Sequence, residues 1–201
     1  RTAAYHGNYE AMAEYGRFLE LGYGVVQPDK REAVRYYRKL YEKGDMTGYA
    51  LYGYALINGV GGITKNESEG LEFVKKSCDA KNPYGIYIYS NCLMNGLTDL
   101  PKDERQAISY VKKAAELGVR EAICSLGLYL RDGKGTAKNT MESIKYLKLA
   151  GEEGCSYASG ELGALLLKGD KFLNIQSVSE GNKYLKSAAD RGDGNALYEY
   201  S

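Results

Sequence analysis

The sequence has few of the residues on which enzymes, metal sites and membrane proteins depend. Its 201 residues include no Trp, 3 Pro, 4 Cys and a single His. The 27 Lys and Arg nearly balance the 26 Asp and Glu, so net charge gives no reason to expect nucleic acid or an anionic membrane as partner. No apolar run approaches the ~20 residues that cross a bilayer, which excludes direct membrane insertion. With 44% hydrophobic and 26% charged residues, the composition is that of a folded globular protein.

The cysteines show none of the spacings that define a zinc site or a disulfide scaffold. They lie at Cys78, Cys92, Cys124 and Cys155, with no CxxC pair and no regular interval. We predict free and mostly buried thiols in a reducing compartment, with disulfide pairing as the alternative. The expected location is therefore cytoplasmic, the alternatives being the ER lumen or the periplasm.

The sequence has few residues that could support nucleophilic or metal catalysis. No Ser-His-Asp or Cys-His arrangement can form without His6, which we predict to be an exposed residue of a turn. The GVGGI segment at 59–63 suggests a phosphate loop but lacks a preceding strand and a following Lys-Ser or Lys-Thr. We therefore predict no enzyme activity, no metal and no cofactor.

The abundant residues are arranged with a period of about 37. A small residue recurs with gaps of 37, 37, 37, 36 and 38, at Ala11, Gly48, Gly85, Ala122, Ala158 and Ala196. Five residues later comes a second small position: Gly16, Gly53, Ser90, Gly127, Gly163 and Ser201. Further frames keep the same register: loop glycines at Gly22, Gly59, Gly96, Gly133 and Gly169, and core positions at Tyr37, Val74, Val111, Leu147 and Leu185. This regularity indicates a repeat protein.

Each repeat has the pattern of two helices. The first ends near the loop glycine, and the second begins with a polar residue followed three positions later by Glu or Gln. These pairs predict reciprocal capping boxes: Asp29 with Glu32, Asn66 with Glu69, Asp103 with Gln106, Asn139 with Glu142, and Ser177 with Glu180. Glycine then ends the second helix at Gly44, Gly118, Gly154 and Gly192. In the second repeat we predict that Asn82 takes this left-handed position.

The small residues inside the first helices require a reason, since glycine costs roughly 1 kcal/mol against alanine in a helix. We predict close approach of the first helix to the Ala-rich stretch of the second, such as Ala114 and Ala115. Tyrosines on second helices are predicted to fill gaps between repeats with their hydroxyls near water: Tyr37, Tyr110, Tyr146 and Tyr184.

The predicted fold is all-α, a right-handed α-α superhelix of helix-turn-helix repeats. The units span approximately 8–45, 46–82, 83–119, 120–155 and 156–193, with partial units at 1–7 and 194–201. The segment AAYHGNYEA at 3–11 has the pattern of a joint between repeats, with a helix stop at Gly7. We therefore expect the sequence to be a fragment of a longer array.

The repeated frame resembles the Sel1-like repeat family, which is related to tetratricopeptide repeats. The resemblance rests on EAICSLGLYLRDGKGTAKNTMESIKYLKLAGEEG at 121–154 and KKAAELG at 112–118, and it covers the whole chain. It implies a scaffold or adaptor that holds other proteins in signalling or protein-quality-control complexes, without cofactor or catalysis. Some secreted, cysteine-rich members have been linked to β-lactam binding, so the alternative function is a secreted protein that binds or hydrolyses a small ligand.

Partner segments of proteins are expected on the concave face, which first helices line in solenoids. The first-helix leucines keep their identity between repeats, at Leu19, Leu56, Leu93, Leu130 and Leu166, while positions beside them vary. The predicted partner-binding residues are Arg17, Leu51, Tyr54, Ile57, Tyr87, Ile88, Asn91, Met94, Leu128 and Arg131. The alternative for Ile57, Ile88 and Met94 is simple packing between repeats.

Overall fold

Helices account for the secondary structure of the described residues. The computed structural model describes residues 2–21, 28–169 and 177–192, with side chains from residue 8 onward. Within these ranges ten α-helices and no β-strand are found. The helices are α1 (Thr2–Leu21), α2 (Lys30–Glu42), α3 (Met46–Asn58), α4 (Glu67–Asp79), α5 (Pro83–Asn95), α6 (Glu104–Glu116), α7 (Arg120–Asp132), α8 (Thr140–Glu152), α9 (Ser156–Lys168) and α10 (Val178–Asp190). The predicted all-α class is confirmed.

Some predictions fall on residues outside these ranges. They are the loop glycine Gly22, the loop that follows Gly169, and the partial unit 194–201 with Ala196 and Ser201. The side chain of His6 is also outside the description.

The chain divides into two compact units, residues 1–110 and 111–201. In the N-terminal unit each helix from α1 to α4 packs on the next, and the first helices α3 and α5 also contact each other. In the C-terminal unit α7 packs on α8, α8 on α9, and α9 on α10. Sequence neighbours are therefore spatial neighbours in both units, which is the stacking of helix pairs expected of an α-solenoid.

The forward half of the predicted caps is present in every repeat. Each N-cap side chain accepts a hydrogen bond of 2.9 to 3.2 Å from the backbone N–H three residues later. The five caps are Asp29, Asn66, Asp103, Asn139 and Ser177. Each cap gives a hydrogen-bond partner to one of the backbone N–H groups that have none within the helix at the start of a second helix.

The prediction that the Glu or Gln side chain accepts a hydrogen bond from the N-cap backbone N–H was wrong. The backbone N–H of each N-cap residue instead donates, over 2.7 to 3.2 Å, to the carbonyl oxygen of the first-helix leucine in the same repeat. These pairs are Asp29 with Leu19, Asn66 with Leu56, Asp103 with Leu93, Asn139 with Leu130, and Ser177 with Leu166. Because this bond uses the donor, the Glu69 and Glu142 carboxylates accept instead from the Asn66 and Asn139 side-chain amides, at 2.9 and 3.0 Å.

This arrangement predicts unequal effects of truncating the two members of a cap. Asn139→Ala should lower the free energy of unfolding by about 1 kcal/mol, because it leaves the Glu142 amide without its acceptor. Glu142→Ala should cost only a few tenths of a kcal/mol, since it removes a side-chain hydrogen bond and a favourable charge at the helix start. Urea denaturation of the two variants measures the difference, and equal losses would support the reciprocal capping box.

Left-handed residues end the helices as predicted in four of five repeats. Gly44, Gly118, Gly154 and Gly192 have φ between 75° and 97° at the ends of second helices. In the second repeat, however, Lys81 has φ 61° and Asn82 has φ −66°. The prediction for Asn82 was wrong because the residue before a proline is driven to extended backbone, and Pro83 begins α5. Asn82 is the N-cap of that helix.

The helix stop predicted at Gly7 is absent. Helix α1 continues from Thr2 to Leu21 without interruption. A single glycine costs roughly 1 kcal/mol inside a helix and does not by itself end one. The turn predicted around His6 was therefore wrong, since His6 is part of α1.

The small residues of the first helices lie where two backbones approach closely. A Cβ atom added to Gly53 would lie 2.8 Å from the carbonyl oxygen of Gly70 and 2.9 Å from Cγ2 of Val74, both on α4. A Cβ atom on Gly127 would lie 2.9 Å from Cγ of Leu147 on α8. The close approach was predicted correctly, but the partner is the buried core position of the second helix and not its Ala-rich end.

The end of each second helix packs instead on the start of the next first helix. A Cβ atom on Gly48 would lie 2.6 Å from Cβ of Leu40, and one on Gly85 would lie 2.7 Å from the backbone nitrogen of Cys78. The two small positions of the repeat therefore have separate purposes. One brings together the two helices of a repeat, and the other brings together adjacent repeats.

The tyrosine prediction was wrong for Tyr37. Its side chain is fully buried (0% exposed), and its hydroxyl donates a 2.7 Å hydrogen bond to Oε2 of Glu20. Tyr110, Tyr146 and Tyr184 are half-buried, as a hydroxyl near water requires. The sequence register explains the difference, because Tyr37 occupies the core position filled elsewhere by Val74, Val111, Leu147 and Leu185, whereas the other three stand one residue earlier in the repeat.

Candidate functional site

The ten residues predicted to bind a partner separate into a buried set and a half-buried set. The buried ones are Arg17, Leu51, Ile57, Ile88 and Met94, none of them more than 7% exposed. The half-buried ones are Tyr54, Tyr87, Asn91, Leu128 and Arg131. Only the second set offers surface to another molecule without rearrangement of the fold.

Packing accounts for the buried apolar members. Ile57 contacts the second helix of its own repeat so closely that a Cβ atom on Gly70 would lie 2.7 Å from its Cγ1. Met94 is 1% exposed and Ile88 is 6% exposed. The burial of all three agrees with the packing alternative, although the contact seen for Ile57 is within its own repeat.

Arg17 is held by a network inside the N-terminal unit. Its guanidinium donates to Oε1 of Glu14 at 2.8 Å and lies over the ring of Tyr84, 4.7 Å from the ring centre. It also contacts the Tyr84 hydroxyl, which donates to the same Glu14 oxygen at 2.8 Å. A side chain of α1 thus reaches α5, two repeats later in the chain. The first helices of the N-terminal unit therefore converge on this side.

A second cluster of polar side chains surrounds the carboxylate of Glu20. The hydroxyl of Tyr37 donates to it, and burial together with the negative charge of Glu20 raises the pKa of Tyr37 well above its usual value. Burial, the Glu20 charge and the neighbouring Tyr87 raise the pKa of Tyr54 to about 12. Both tyrosines therefore remain neutral hydrogen-bond donors at physiological pH.

Tyr54 lies next to this carboxylate, and together with the half-buried Tyr87 and Asn91 of α5 it defines the Tyr54–Tyr87–Asn91 patch. Tyr87 and Asn91 are one helical turn apart on α5, and Tyr54 lies close enough on α3 for its pKa to respond to Tyr87. Among the described residues no hydrogen-bond partner is found for the side chain of Asn91. The patch thus combines two phenol rings with an amide that can both donate and accept.

In the C-terminal unit one of the two predicted residues, Arg131, lies beside a cavity. Arg131 pairs with Glu161 of α9 and with Asp132, whose Oδ1 is 2.7 Å from its Nε. These charges border a cavity of about 320 Å³ that is also lined by Lys138, Thr140, Ala164, Leu165, Lys168 and Gly169. Leu128 packs its half-buried side chain against the core of this unit. The cavity offers polar and charged groups of both signs.

Sequence comparison between repeats missed the residues that organise these sites. Glu14 and Glu20 occupy the same variable positions as Leu51 and Ile57, but their role depends on contacts with Arg17, Tyr37 and Tyr84 that sequence spacing does not reveal. The signal that could have indicated them is a charged residue at a position that is apolar in the next two repeats.

Two other classes of site are absent from the described part of the chain. No group of three or more His, Cys, Asp or Glu side chains there could hold a metal ion. Nor is any described helix both long and apolar enough to cross a membrane.

The stacked helix pairs, the small residues at their contacts and the capped second helices define an α-solenoid repeat protein. The chain belongs to the Sel1 repeat family, since the Sel1 repeat matches residues 10–45, 48–82, 83–119, 120–155 and 156–193. A comparison with curated proteins gave no match.

Solved structures share the fold at low sequence identity. A Sel1 repeat protein from Oxalobacter formigenes is 24% identical with a TM-score of 0.71, the match covering 95% of this chain and 76% of that one. A protective antigen of uropathogenic Escherichia coli with an SLR fold is 22% identical with a TM-score of 0.67, over 98% of this chain and 41% of that one. The immunity protein Pa5087 from Pseudomonas aeruginosa is 22% identical with a TM-score of 0.59, over 95% and 69%.

Proposed function

We propose that this chain is a protein-interaction scaffold that binds segments of partner proteins on its first helices. Membership of the Sel1 repeat family supports this function, because the family generally provides protein-interaction scaffolds. The similarity to an immunity protein and a protective antigen is compatible with it. An adaptor role in signalling or protein quality control, in the cytoplasm, is part of the proposal. The absence of a disulfide among the four cysteines is compatible with that compartment.

The observation that carries the proposal is the Tyr54–Tyr87–Asn91 patch. Its neighbours in the repeat frame are buried by folding, whereas these three side chains remain half-buried at the surface. An asparagine amide matches the donor and acceptor of a peptide group, and tyrosine rings supply contact area at small entropic cost. The patch therefore fits an extended or helical peptide with apolar side chains.

Leu128 and Arg131 provide the second part of the proposed surface, in the C-terminal unit. The adjoining cavity places the basic groups of Arg131, Lys138 and Lys168 near the acidic Asp132 and Glu161. We propose that this cavity accepts a polar side chain of the partner. Each unit would then bind its own short segment.

Three groups with raised pKa values do not support a catalytic alternative. The pKa of Cys92 is raised to about 12 by burial, and the raised pKa values of Tyr37 and Tyr54 come from helix packing. Such groups are stabilised in the neutral form and make poor nucleophiles at physiological pH. We infer that the chain is not an enzyme and has no cofactor.

A selection of binding peptides tests this function. A displayed library of random peptides would be selected on the intact chain, and the enriched peptides would then be measured against Tyr54→Ala and Asn91→Ala variants. Loss of a buried amide contact and of aromatic contact area predicts at least about tenfold weaker binding to each variant. Thermal melts of the variants should remain within ~2 °C of the parent protein.

Lys112→Asp, an exposed charge reversal on α6, is the matched control and should leave binding unchanged. Failure to enrich any peptide family, or binding that is equal in all variants, would contradict the proposed surface.

A further inference from the structure

Two of the four cysteines come together in the C-terminal unit although they are 31 residues apart in the chain. Cys124 is on α7, and Cys155 is the N-cap residue of α9. Their Sγ atoms are 3.5 Å apart, and both are free thiols. A disulfide requires about 2 Å between sulfur atoms, a distance that small rotations of the two side chains can provide.

The two thiols differ in acidity. The hydrogen bond with Cys124 and the backbone N–H groups of Ala158 and Tyr157 hold the pKa of Cys155 down at about 6. The same hydrogen bond, together with burial, raises the pKa of Cys124. A thiolate at the start of a helix also gains from the helix dipole. At neutral pH Cys155 is therefore a thiolate that can attack a disulfide, and Cys124 is a protonated thiol.

The two thiols also differ in access to solvent. Cys124 is 8% exposed and belongs to the core cluster of Ile123, Leu147 and Leu162, whereas Cys155 is half-buried at the joint between repeats. A small molecule reaches Cys155 first. Neither residue is among those proposed to bind a partner, so the oxidation can be tested separately from that function.

We propose that Cys155 and Cys124 form a redox modification site whose substrate is a small-molecule disulfide of the oxidised-glutathione class. The Cys155 thiolate attacks one sulfur of the substrate, forms a mixed disulfide and releases the first thiolate. Cys124 then loses its proton to solvent and attacks the Cys155 sulfur, and the second thiolate leaves. The protein loses two protons and two electrons, and the two electrons reduce one small disulfide to two thiols.

The cross-link would join α7 to the last residue of the fourth repeat, which caps the first helix of the fifth. It ties α7 of the fourth repeat to the start of α9 in the fifth and encloses α8. Because closing a loop of this length restricts the unfolded chain, the oxidised C-terminal unit should be harder to unfold. Oxidation thus fixes α7 covalently to the residue that caps α9.

The test exposes the intact chain to oxidised glutathione at neutral pH and follows it by intact mass and by non-reducing peptide mapping. We expect a product lighter by two hydrogens, with Cys124 linked to Cys155, and a thermal midpoint about 5 to 10 °C higher that dithiothreitol reverses. Cys124→Ser should stop at one glutathionyl group on Cys155, and Cys155→Ser should remain unmodified at Cys124.

Cys78→Ser combined with Cys92→Ser is the matched control, because it removes the other two thiols and should oxidise like the parent chain. The reaction of the wild-type chain tests for the Cys124–Cys155 link even if a variant folds poorly. A stable adduct on Cys78, a Cys78–Cys92 link, or no product under conditions in which the urea-unfolded chain is oxidised would overturn the proposal.

Discussion

Gly127→Leu is expected to cost about 3 kcal/mol or more of folding free energy and to lower the thermal midpoint by roughly 10 °C. The first added carbon alone would lie 2.9 Å from Cγ and 3.1 Å from the backbone nitrogen of Leu147. A backbone atom cannot move aside as a flexible side chain can, so α7 and α8 must separate. Differential scanning calorimetry should show the loss as a less cooperative melt.

Two substitutions control for this effect. Gly127→Ser adds the same first carbon but not the rest of the leucine side chain, so it should cost less, about 1 to 2 kcal/mol. Ser90 occupies the same register in the third repeat, is fully buried, and bonds back to the carbonyl of Tyr87. Lys145→Leu adds the same side chain to an exposed position of α8 and should change stability by less than ~0.5 kcal/mol. A melt of Gly127→Leu that resembles that of Lys145→Leu would contradict the close packing of the two helices.

Tyr37→Ala is expected to be the most damaging substitution of the N-terminal unit, at about 3 to 5 kcal/mol. The ring is fully buried, and its Cε1 would be 2.7 Å from a Cβ atom placed on Gly16, so no small shift of α1 refills the space. Urea denaturation followed by circular dichroism measures this loss.

The hydroxyl and the ring of Tyr37 can be separated by a conservative change. Tyr37→Phe keeps the ring and removes only the hydrogen bond to Glu20, so it should cost about 1 to 2 kcal/mol. Tyr15→Ala, at a tyrosine that is 48% exposed, is the matched control and should cost less than ~1 kcal/mol. Equal losses for Tyr37→Ala and Tyr15→Ala would contradict the assignment of Tyr37 to the core.

Local chemistry explains why so much of the fold could be predicted. A cap such as Asn139 or a left-handed Gly118 acts within a few residues, and the repeat displays the same requirement five times. The core positions, such as Val74 and Leu185, follow from helical periodicity in the same way. Lys81, and not Asn82, adopts the left-handed conformation because Asn82 precedes a proline. This too is a local rule, but the prediction did not apply it.

The candidate site was harder to predict because burial on the first helices depends on how closely successive repeats converge. Arg17 varies between repeats as a binding residue would, yet it is buried by Tyr84 of a helix two repeats later. The return bond of the capping box failed for the same kind of reason, since the carbonyl of a distant leucine competes for the amide. Variation within one sequence therefore marks candidate positions, and tertiary contacts decide which of them remain accessible.

We propose that the half-buried members of the predicted set bind partners, whereas the buried members maintain the fold. Alanine variants of the eight positions in the N-terminal unit, each measured for its urea midpoint and for affinity to one selected peptide, test this proposal directly. We predict that Arg17, Leu51, Ile57, Ile88 and Met94 variants lose stability, and that Tyr54, Tyr87 and Asn91 variants lose affinity at a nearly unchanged midpoint. Equal losses of stability in both groups, or affinity that is retained at Tyr54 and Asn91, would contradict the account.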